Sequence, residues 1–244
     1  MYLHRNYHKK IRKAIRKSEL RDKKEYVYSD FFFILAPWIV QNITGEKFDR
    51  YLQEEFYDPL GTTSLTFNPS ESFSPAEIVP TENDFFFRNK LIHGDVHDEG
   101  AILLGGVSGH AGLFSNANDL AKLLQMFLNG GEYGGRRYLE QETLEEFTRT
   151  QFPENNNRRA LGFDKPNLEY RGVSNNTAKD ASKTSFGHAG FTGTMVWMDP
   201  EHNLLYIFLS NRVFPTRENN RLSQLNTRTQ VQQVLYDALK APVK

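Results

Sequence analysis

The stretch Phe186-Gly187-His188-Ala189-Gly190-Phe191-Thr192-Gly193-Thr194, followed at once by Met195-Val196-Trp197-Met198-Asp199-Pro200, constrains this chain more than any other. Three glycines within seven residues let other atoms come close to the backbone. The apolar run behind them ends at Asp-Pro, a turn signal. The pattern predicts a strand at about 192–198, a hairpin-sized turn at 199–203 and an antiparallel partner strand at about 204–210. A strand whose start is bare of side chains presents backbone N–H groups to a ligand, and His188 is placed to point at the same spot. The same residues also fit a glycine-rich edge strand with a solvated histidine.

A chain of 244 residues can bury a sizeable core, and 19 phenylalanines argue against disorder. The formal net charge is zero, so no global field draws the molecule to nucleic acid or to a membrane. Cysteine is absent, which excludes disulfides, thiolate metal sites and a cysteine nucleophile. The opening residues carry no apolar signal region. The longest apolar run, Phe31 to Val40, contains Pro37 and is too short to span a bilayer. A soluble chain without a transmembrane segment is expected.

Residues 1–24 hold ten Lys or Arg against two acidic residues, with Leu3, Tyr7, Ile11 and Ile15 recurring every four positions. This is a basic amphipathic helix, read either as an arm for nucleic acid or membrane or as a surface helix with a solvated charged face. The balancing negative charge elsewhere favours the surface helix, and no nucleic-acid partner is expected. Ser29 or Asp30 can cap a helix over 31–42 that is apolar nearly all round and so is expected to be buried. A second helix at about 46–57 places Phe48, Tyr51, Leu52 and Phe56 on one face. Residues 62–67 suggest a short strand, and 68–80 a loop rich in Ser and Pro. Further helices are expected at about 117–129, capped by Asn116 or Asn118 and stopped by Gly130-Gly131, at 140–150 and at 227–240. Residues 153–182 read as a long polar loop with a short strand at 160–163. No internal repeat is visible. Helices in the middle and strands late predict an α/β (α+β) architecture, an antiparallel sheet flanked by helices in a single domain over 1–244.

Two clusters invite other chemistry. His93-Gly94-Asp95-Val96-His97-Asp98-Glu99 gathers metal-ligand residue types, but in neither the His-Glu-x-x-His nor the His-x-His order. Hydrogen bonding within an ordered loop accounts for it as well. Gly105-Gly106-Val107-Ser108-Gly109-His110-Ala111-Gly112 lacks the Gly-Lys-Ser/Thr ending of a phosphate loop.

Taken together, the segments resemble the superfamily of serine β-lactamases and penicillin-binding proteins. The nearer likeness is to its β-lactamase-related branch of esterases, amidases and D-amino-acid peptidases. Those proteins carry a Ser-x-x-Lys nucleophile, a second element and a third. Tyr28-Ser29-Asp30 looks like the branch's Tyr-x-Asn element, with Asp in place of Asn, and His188-Ala189-Gly190 looks like its His-x-Gly element. The phrase from Gly105 through Leu128, Pro59-Leu60-Gly61 and the paired late strands with their end helix add to a likeness over about 25–240. The run from Pro80 through Asp98 resembles a narrower set, in which such a domain follows a glycoside hydrolase that trims cell-wall fragments. No serine here has a lysine three residues later; Ser18 comes nearest, with Arg21. The expectation is therefore a β-lactamase/transpeptidase-like domain truncated at its N-terminus, lacking its nucleophile, whose partners are an upstream segment of the same protein and a small-molecule or peptidoglycan-fragment substrate. A periplasmic or cell-envelope location goes with the resemblance, and no cofactor or metal does.

The resemblance implies roles. Tyr28 would act as the base once cations lower its pKa, and Asp30 would orient the family's lysine or a substrate amide. His188 would bind a carboxylate if charged or hydrogen-bond the tyrosine if neutral. Gly190, Phe191 and Thr192 would form the oxyanion and substrate-binding turn, with the Phe191 N–H as donor. Two other classes stay open: a non-catalytic binding module that keeps the fold, and a metal hydrolase using His93, Asp95, His97 and Asp98.

Overall fold

The computed structural model describes residues 6–22 and 26–240. The chain forms two compact units, one of Met1–Leu120 with Val213–Thr216, the other of Ala121–Arg212 with Arg217–Lys244.

The first unit begins with α1, Tyr7–Lys17. Of the expected basic helix, Leu3, Lys23 and Lys24 lie outside the described residues. No residue of α1 is fully buried, and its Arg12 guanidinium lies over the Trp38 ring at 5.7 Å. α2, Phe31–Thr44, ends at Gly45 in the left-handed conformation, where glycine carries no Cβ penalty. The expectation that α2 is buried is corrected: Pro37 is its one fully buried residue, and Phe32 and Ile43 are 63% and 79% exposed. An all-round apolar pattern signals a helix that wants cover on every side; the described chain covers one side. α3, Phe48–Leu52, widens into a π-helical turn at Gln53–Tyr57.

β1, Pro80–Asp84, and β2, Lys90–His93, make an antiparallel hairpin that sequence periodicity does not reveal. Its buried residues include two carboxylates, Glu82 and Asp84. Arg88 bonds Asp84 at 2.8 Å, Glu82 at 3.3 Å and the carbonyls of Val96 and His97 at 2.7 and 2.9 Å. Burial works to raise the Asp84 pKa, but the N–H groups of Phe87, Phe86 and Arg88 and the Arg88 guanidinium outweigh it and hold the carboxyl well below the usual range. α4 follows at Glu99–Leu103. The expected strand at 62–67 reduces to a single bridge, Thr66 to Phe114.

α5 runs over Ala117–Leu128. Asn116 caps it, its Oδ1 accepting from the Asp119 N–H at 2.9 Å. In the second unit, β3 (Glu132–Tyr133) and β4 (Arg136–Arg137) form a small ribbon, and α6 spans Gln141–Thr148. The long polar segment before residue 182 is held by side-chain amides rather than strands. Gln232 Oε1, for example, accepts from Thr177 Oγ1 and from the Ala178 N–H at 2.8 and 2.9 Å. No strand forms at 160–163.

The sheet of this unit is β5 (Phe186–Ala189), β6 (Met195–Asp199) and β7 (Leu204–Phe208), antiparallel in that order. The strand expected at 192–198 is β6, which starts at Met195; β5 ahead of it was not expected, and residues 190–194 are a turn. Met195, Trp197 and Tyr206 form the core on one face. α7 is Arg221–Gln224 and α8 is Thr227–Lys240. α8 is tied to the sheet by Tyr206, whose hydroxyl donates to the Arg228 carbonyl at 2.7 Å. It is also tied by Tyr236, whose hydroxyl donates to buried Asp199 at 2.7 Å.

Candidate active site

Strand β5 carries the third motif because Gly187 lets its neighbours in. A Cβ on Gly187 would sit 2.2 Å from the Val196 carbonyl oxygen and 2.8 Å from the Trp197 Cα, so no side chain fits. That close pairing aligns His188 opposite Val196 on the edge strand. The partner of His188 is Arg159, a residue the sequence reading missed. Arg159 Nη1 lies 3.0 Å from His188 Nε2, and His188 Nδ1 lies 3.0 Å from the Ala189 carbonyl oxygen. A guanidinium only donates, so Nε2 is the acceptor and the proton sits on Nδ1. His188 is therefore a neutral imidazole whose Nε2 lone pair is engaged by a cation. Arg159 in turn sits beside Asp164, 3.4 Å away, and Arg158 grips the same carboxylate through two bonds of 2.7 and 3.0 Å. Asp164 pairs with Gly187 through main-chain bonds in both directions, so one carboxylate fixes both arginines against β5.

The turn after β5 is closed by Gly190 N–H donating to the Thr194 carbonyl at 2.8 Å and Gly193 N–H donating to the Gly190 carbonyl at 3.1 Å. Its carbonyls face a ring of donors. Arg228 Nη1 donates to the Gly190 and Thr194 carbonyls at 3.1 and 3.0 Å. Arg212 donates through Nε to the Phe191 carbonyl and through its main-chain N–H to the Thr192 carbonyl, each at 2.8 Å. Ser210 Oγ donates to the Gly193 carbonyl at 2.8 Å. The exposed Phe191 ring lies under the Arg212 guanidinium, 4.3 Å from centroid to carbon. Burial, then the charge of Arg212, lowers the Arg228 pKa.

Tyr28 and Asp30 stand two residues apart just before α2, in the first unit. Tyr28 is 56% exposed. Asp30 occupies the N-cap position, but the local bond is made by Ser29, whose Oγ accepts from the Phe31 N–H at 3.3 Å. His188, Gly190, Phe191 and Thr192 share one strand end and turn in the second unit.

The residues of the metal reading turn to separate partners. His93 Nε2 pairs with the Ile78 carbonyl, Asp95 with Lys90, His97 with Glu82 and Asp98 with His110. Among the described residues no group of three or more His, Asp or Glu side chains is arranged to hold a metal ion. Asp98 belongs instead to an unforeseen trio. Ser108 Oγ lies 2.8 Å from His110 Nδ1, and His110 Nε2 lies 2.8 Å from Asp98 Oδ1. The distances are those of a nucleophile, a base and its orienting acid. The exposure runs the wrong way for one: Ser108 is 2% exposed and the His110 side chain 4%, while the Asp98 side chain is 38% exposed. Asp98 also caps α4 by accepting from the Ala101 N–H at 2.8 Å. Gly109 packs its Cα against the Phe33 carbonyl, where a Cβ would come within 2.4 Å. The trio is a strut that braces the 105–112 loop between α4 and α2.

Among the described residues no helix is long and apolar enough to cross a membrane. The sequence matches the family model Beta-lactamase over residues 3–229. It is 37% identical over 211 residues to a protein of Escherichia coli K12 named "Putative D-alanyl-D-alanine carboxypeptidase", covering 80% of this chain and 46% of that protein. A Salmonella gallinarum protein of the same name is 36% identical over 209 residues, with 80% and 47% covered. The chain thus spans about half the length of these relatives. Among solved structures, a β-lactamase of Mycobacterium bovis aligns with a TM-score of 0.62 at 19% identity, over 91% of this chain and 67% of that one. Unliganded simvastatin synthase of Aspergillus terreus aligns with a TM-score of 0.63 at 19% identity, over 95% and 62%. These likenesses agree with the mixed helix and antiparallel-sheet architecture read above. The chain belongs to the Beta-lactamase family.

Proposed function

We propose that this chain supplies the base and the oxyanion turn of a serine hydrolase that acts by acyl transfer on a D-alanyl peptide amide of the cell wall. The observation that carries the reading is the strand-to-turn geometry of residues 186–194, in which a neutral histidine ends an edge strand and the next turn has its carbonyls held on one side. The name of the Escherichia coli relative supports the substrate class. In the reaction, a serine oxygen attacks the amide carbon, its proton passes to Tyr28, and the amine leaves with that proton; water then releases the acyl group. Phe191 N–H donates to the oxyanion, Thr192 and Gly190 line the turn, and Asp30 orients the lysine or the substrate amide. His188 enters as a neutral group that steadies Arg159, so the cation beside the third motif is a guanidinium. A substrate of this class places the reaction in the cell envelope.

The nucleophile is not in this sequence, which contains no Ser-x-x-Lys. The test joins the chain to a Ser-x-x-Lys segment of a relative and compares kcat/KM for an N-acyl-D-alanyl-D-alanine peptide and for a chromogenic cephalosporin. The peptide is expected to be the better substrate, and His188→Lys to shift preference toward the cephalosporin, whose carboxylate suits a point charge. Efficient cephalosporin turnover with the peptide untouched would refute the substrate class. The missing motif also favours a second reading, a binding module with a vestigial cleft; a fluorophosphonate probe that fails to label the joined protein would favour it.

A further inference from the structure

We propose that Arg228 and Arg212 are positioning residues that aim and polarise the N–H groups of Phe191 and Thr192. The inference rests on the oxyanion reading of the 190–194 turn given above.

A peptide unit is planar and trans, so its C=O and N–H point in opposite directions. The Gly190 carbonyl shares its peptide unit with the Phe191 N–H, and the Phe191 carbonyl shares its unit with the Thr192 N–H. Arg228 Nη1 holds the first carbonyl at 3.1 Å and Arg212 Nε holds the second at 2.8 Å. Pinning each oxygen to a guanidinium therefore turns the two N–H groups to the opposite side of the turn. The next carbonyl, of Thr192, is held by the Arg212 main chain, and its unit's N–H, of Gly193, closes the turn on Gly190. The two units tied to guanidinium groups thus carry the Phe191 N–H that the oxyanion reading uses and the Thr192 N–H beside it.

The second effect is electronic. A hydrogen bond to a charged donor is stronger than one to a neutral donor, and bonds in series polarise one another. A guanidinium drawing on a carbonyl makes the N–H of that same unit a better donor. Both arginines are themselves fixed. Arg212 Nη1 donates to the Arg217 and Asn219 carbonyls at 3.1 and 2.9 Å and to Asn220 Oδ1 at 3.3 Å. Arg228 sits in the first turn of α8, whose carbonyl there is held by Tyr206. Neither arginine belongs to the Tyr28-Ser29-Asp30 or the His188-Ala189-Gly190 element.

The experiment uses the chain itself, labelled for amide NMR. Arg228→Met is expected to shift the Phe191 amide resonance and to leave the Trp197 and Met198 resonances of β6 in place. Arg228→Lys, which keeps a cationic donor, restores most of the Phe191 shift. Arg212→Met acts likewise on Thr192, and Arg212→Lys rescues it; this second pair, whose main-chain bond to the Thr192 carbonyl does not depend on the side chain, keeps the inference testable if Arg228→Met does not fold. Amide resonances of Phe191 and Thr192 that stay in place in the methionine variants, or that lysine fails to restore, overturn the inference. N-acetyl-D-alanine is then titrated as a carboxylate probe. Perturbation of the same two amides, weakened about tenfold in Arg228→Met, supports both statements; tenfold corresponds to about 1.4 kcal/mol. Amides that respond to the arginine variants but ignore the probe would sink the oxyanion reading while the positioning role stands.

Discussion

Replacing Asp199 by Ala is the most informative single perturbation of the second unit. The Asp199 carboxylate is fully buried and accepts from Ser182 Oγ at 2.6 Å, the Ser182 N–H at 2.9 Å, Tyr236 OH at 2.7 Å, His202 Nδ1 at 3.0 Å and the Glu201 N–H at 3.2 Å. These bonds join the end of β6 to α8 and to the segment before β5. Alanine strands the Ser182 and Tyr236 donors in the interior, at about 1–3 kcal/mol for each unsatisfied group. His202 and Glu201 are nearer solvent and add little. The expected loss is about 3–5 kcal/mol, measured by urea unfolding with far-ultraviolet circular dichroism. Tyr236→Phe in the Asp199→Ala background removes one stranded hydroxyl and should return about 1–2 kcal/mol. Burial works to raise the Asp199 pKa, but the Ser182 bonds, then Tyr236 and His202, outweigh it and lower the pKa. Its contribution is accordingly complete above the ordinary carboxylate pKa of about 4 and is lost as pH falls below it. A cost under about 1 kcal/mol, or strict additivity of the two substitutions, would refute the argument from stranded donors.

Three further outcomes follow from the same structure. Gly187→Ala drives a methyl group into the Val196 carbonyl and should cost about 1–3 kcal/mol by overpacking, with the β5–β6 amide shifts moving together in NMR spectra; an unaltered stability would mean the strand pair yields easily. Burial lowers the Lys165 pKa to about 8 despite the opposing charge of Asp199, so the unfolded chain binds more protons between pH 8 and the ordinary lysine value near 10 and stability should rise across that window. Lys165→Met should abolish that rise in a pH series of melting temperatures, and an unchanged profile would count against it. The open face of α2, with Phe31, Phe32, Ile39 and Ile43, should bind a hydrophobic dye; Ile43→Lys should reduce the fluorescence, and a dye-silent chain would contradict the exposure.

Elements with strong periodicity or capping signals were legible in the sequence. α5, with Asn116 at its start and glycines at its end, and α8 fall within a residue of expectation. The β6–β7 hairpin was legible because its apolar runs flank a turn signal. β5 was not, because glycine and histidine lack strand propensity and only the pairing with β6 makes them a strand. The β1–β2 hairpin was hidden for the opposite reason: its interior is an ion cluster around Arg88, which no hydrophobic period can register. At the candidate site, His188 and the turn were singled out from their motif, and the structure puts them on one strand end and the turn that follows it. Arg159, Arg212 and Arg228 were missed because each reaches its target from 21 to 38 positions away, and nothing local marks an arginine that folds back on a carbonyl or an imidazole.

The strut of Ser108, His110 and Asp98 bears on how hydrolases are recognised. A template search that scores only interatomic distances would rank this trio as an esterase centre. What separates it from a working triad is the direction in which the relay opens: its acid meets the solvent and its serine faces inward. Water can reach the carboxylate and no acyl donor can reach the alcohol, so a serine-directed covalent probe should leave Ser108 unmarked. The trio therefore adds no background to such an assay, and any serine labelled in a joined protein reports on chemistry elsewhere.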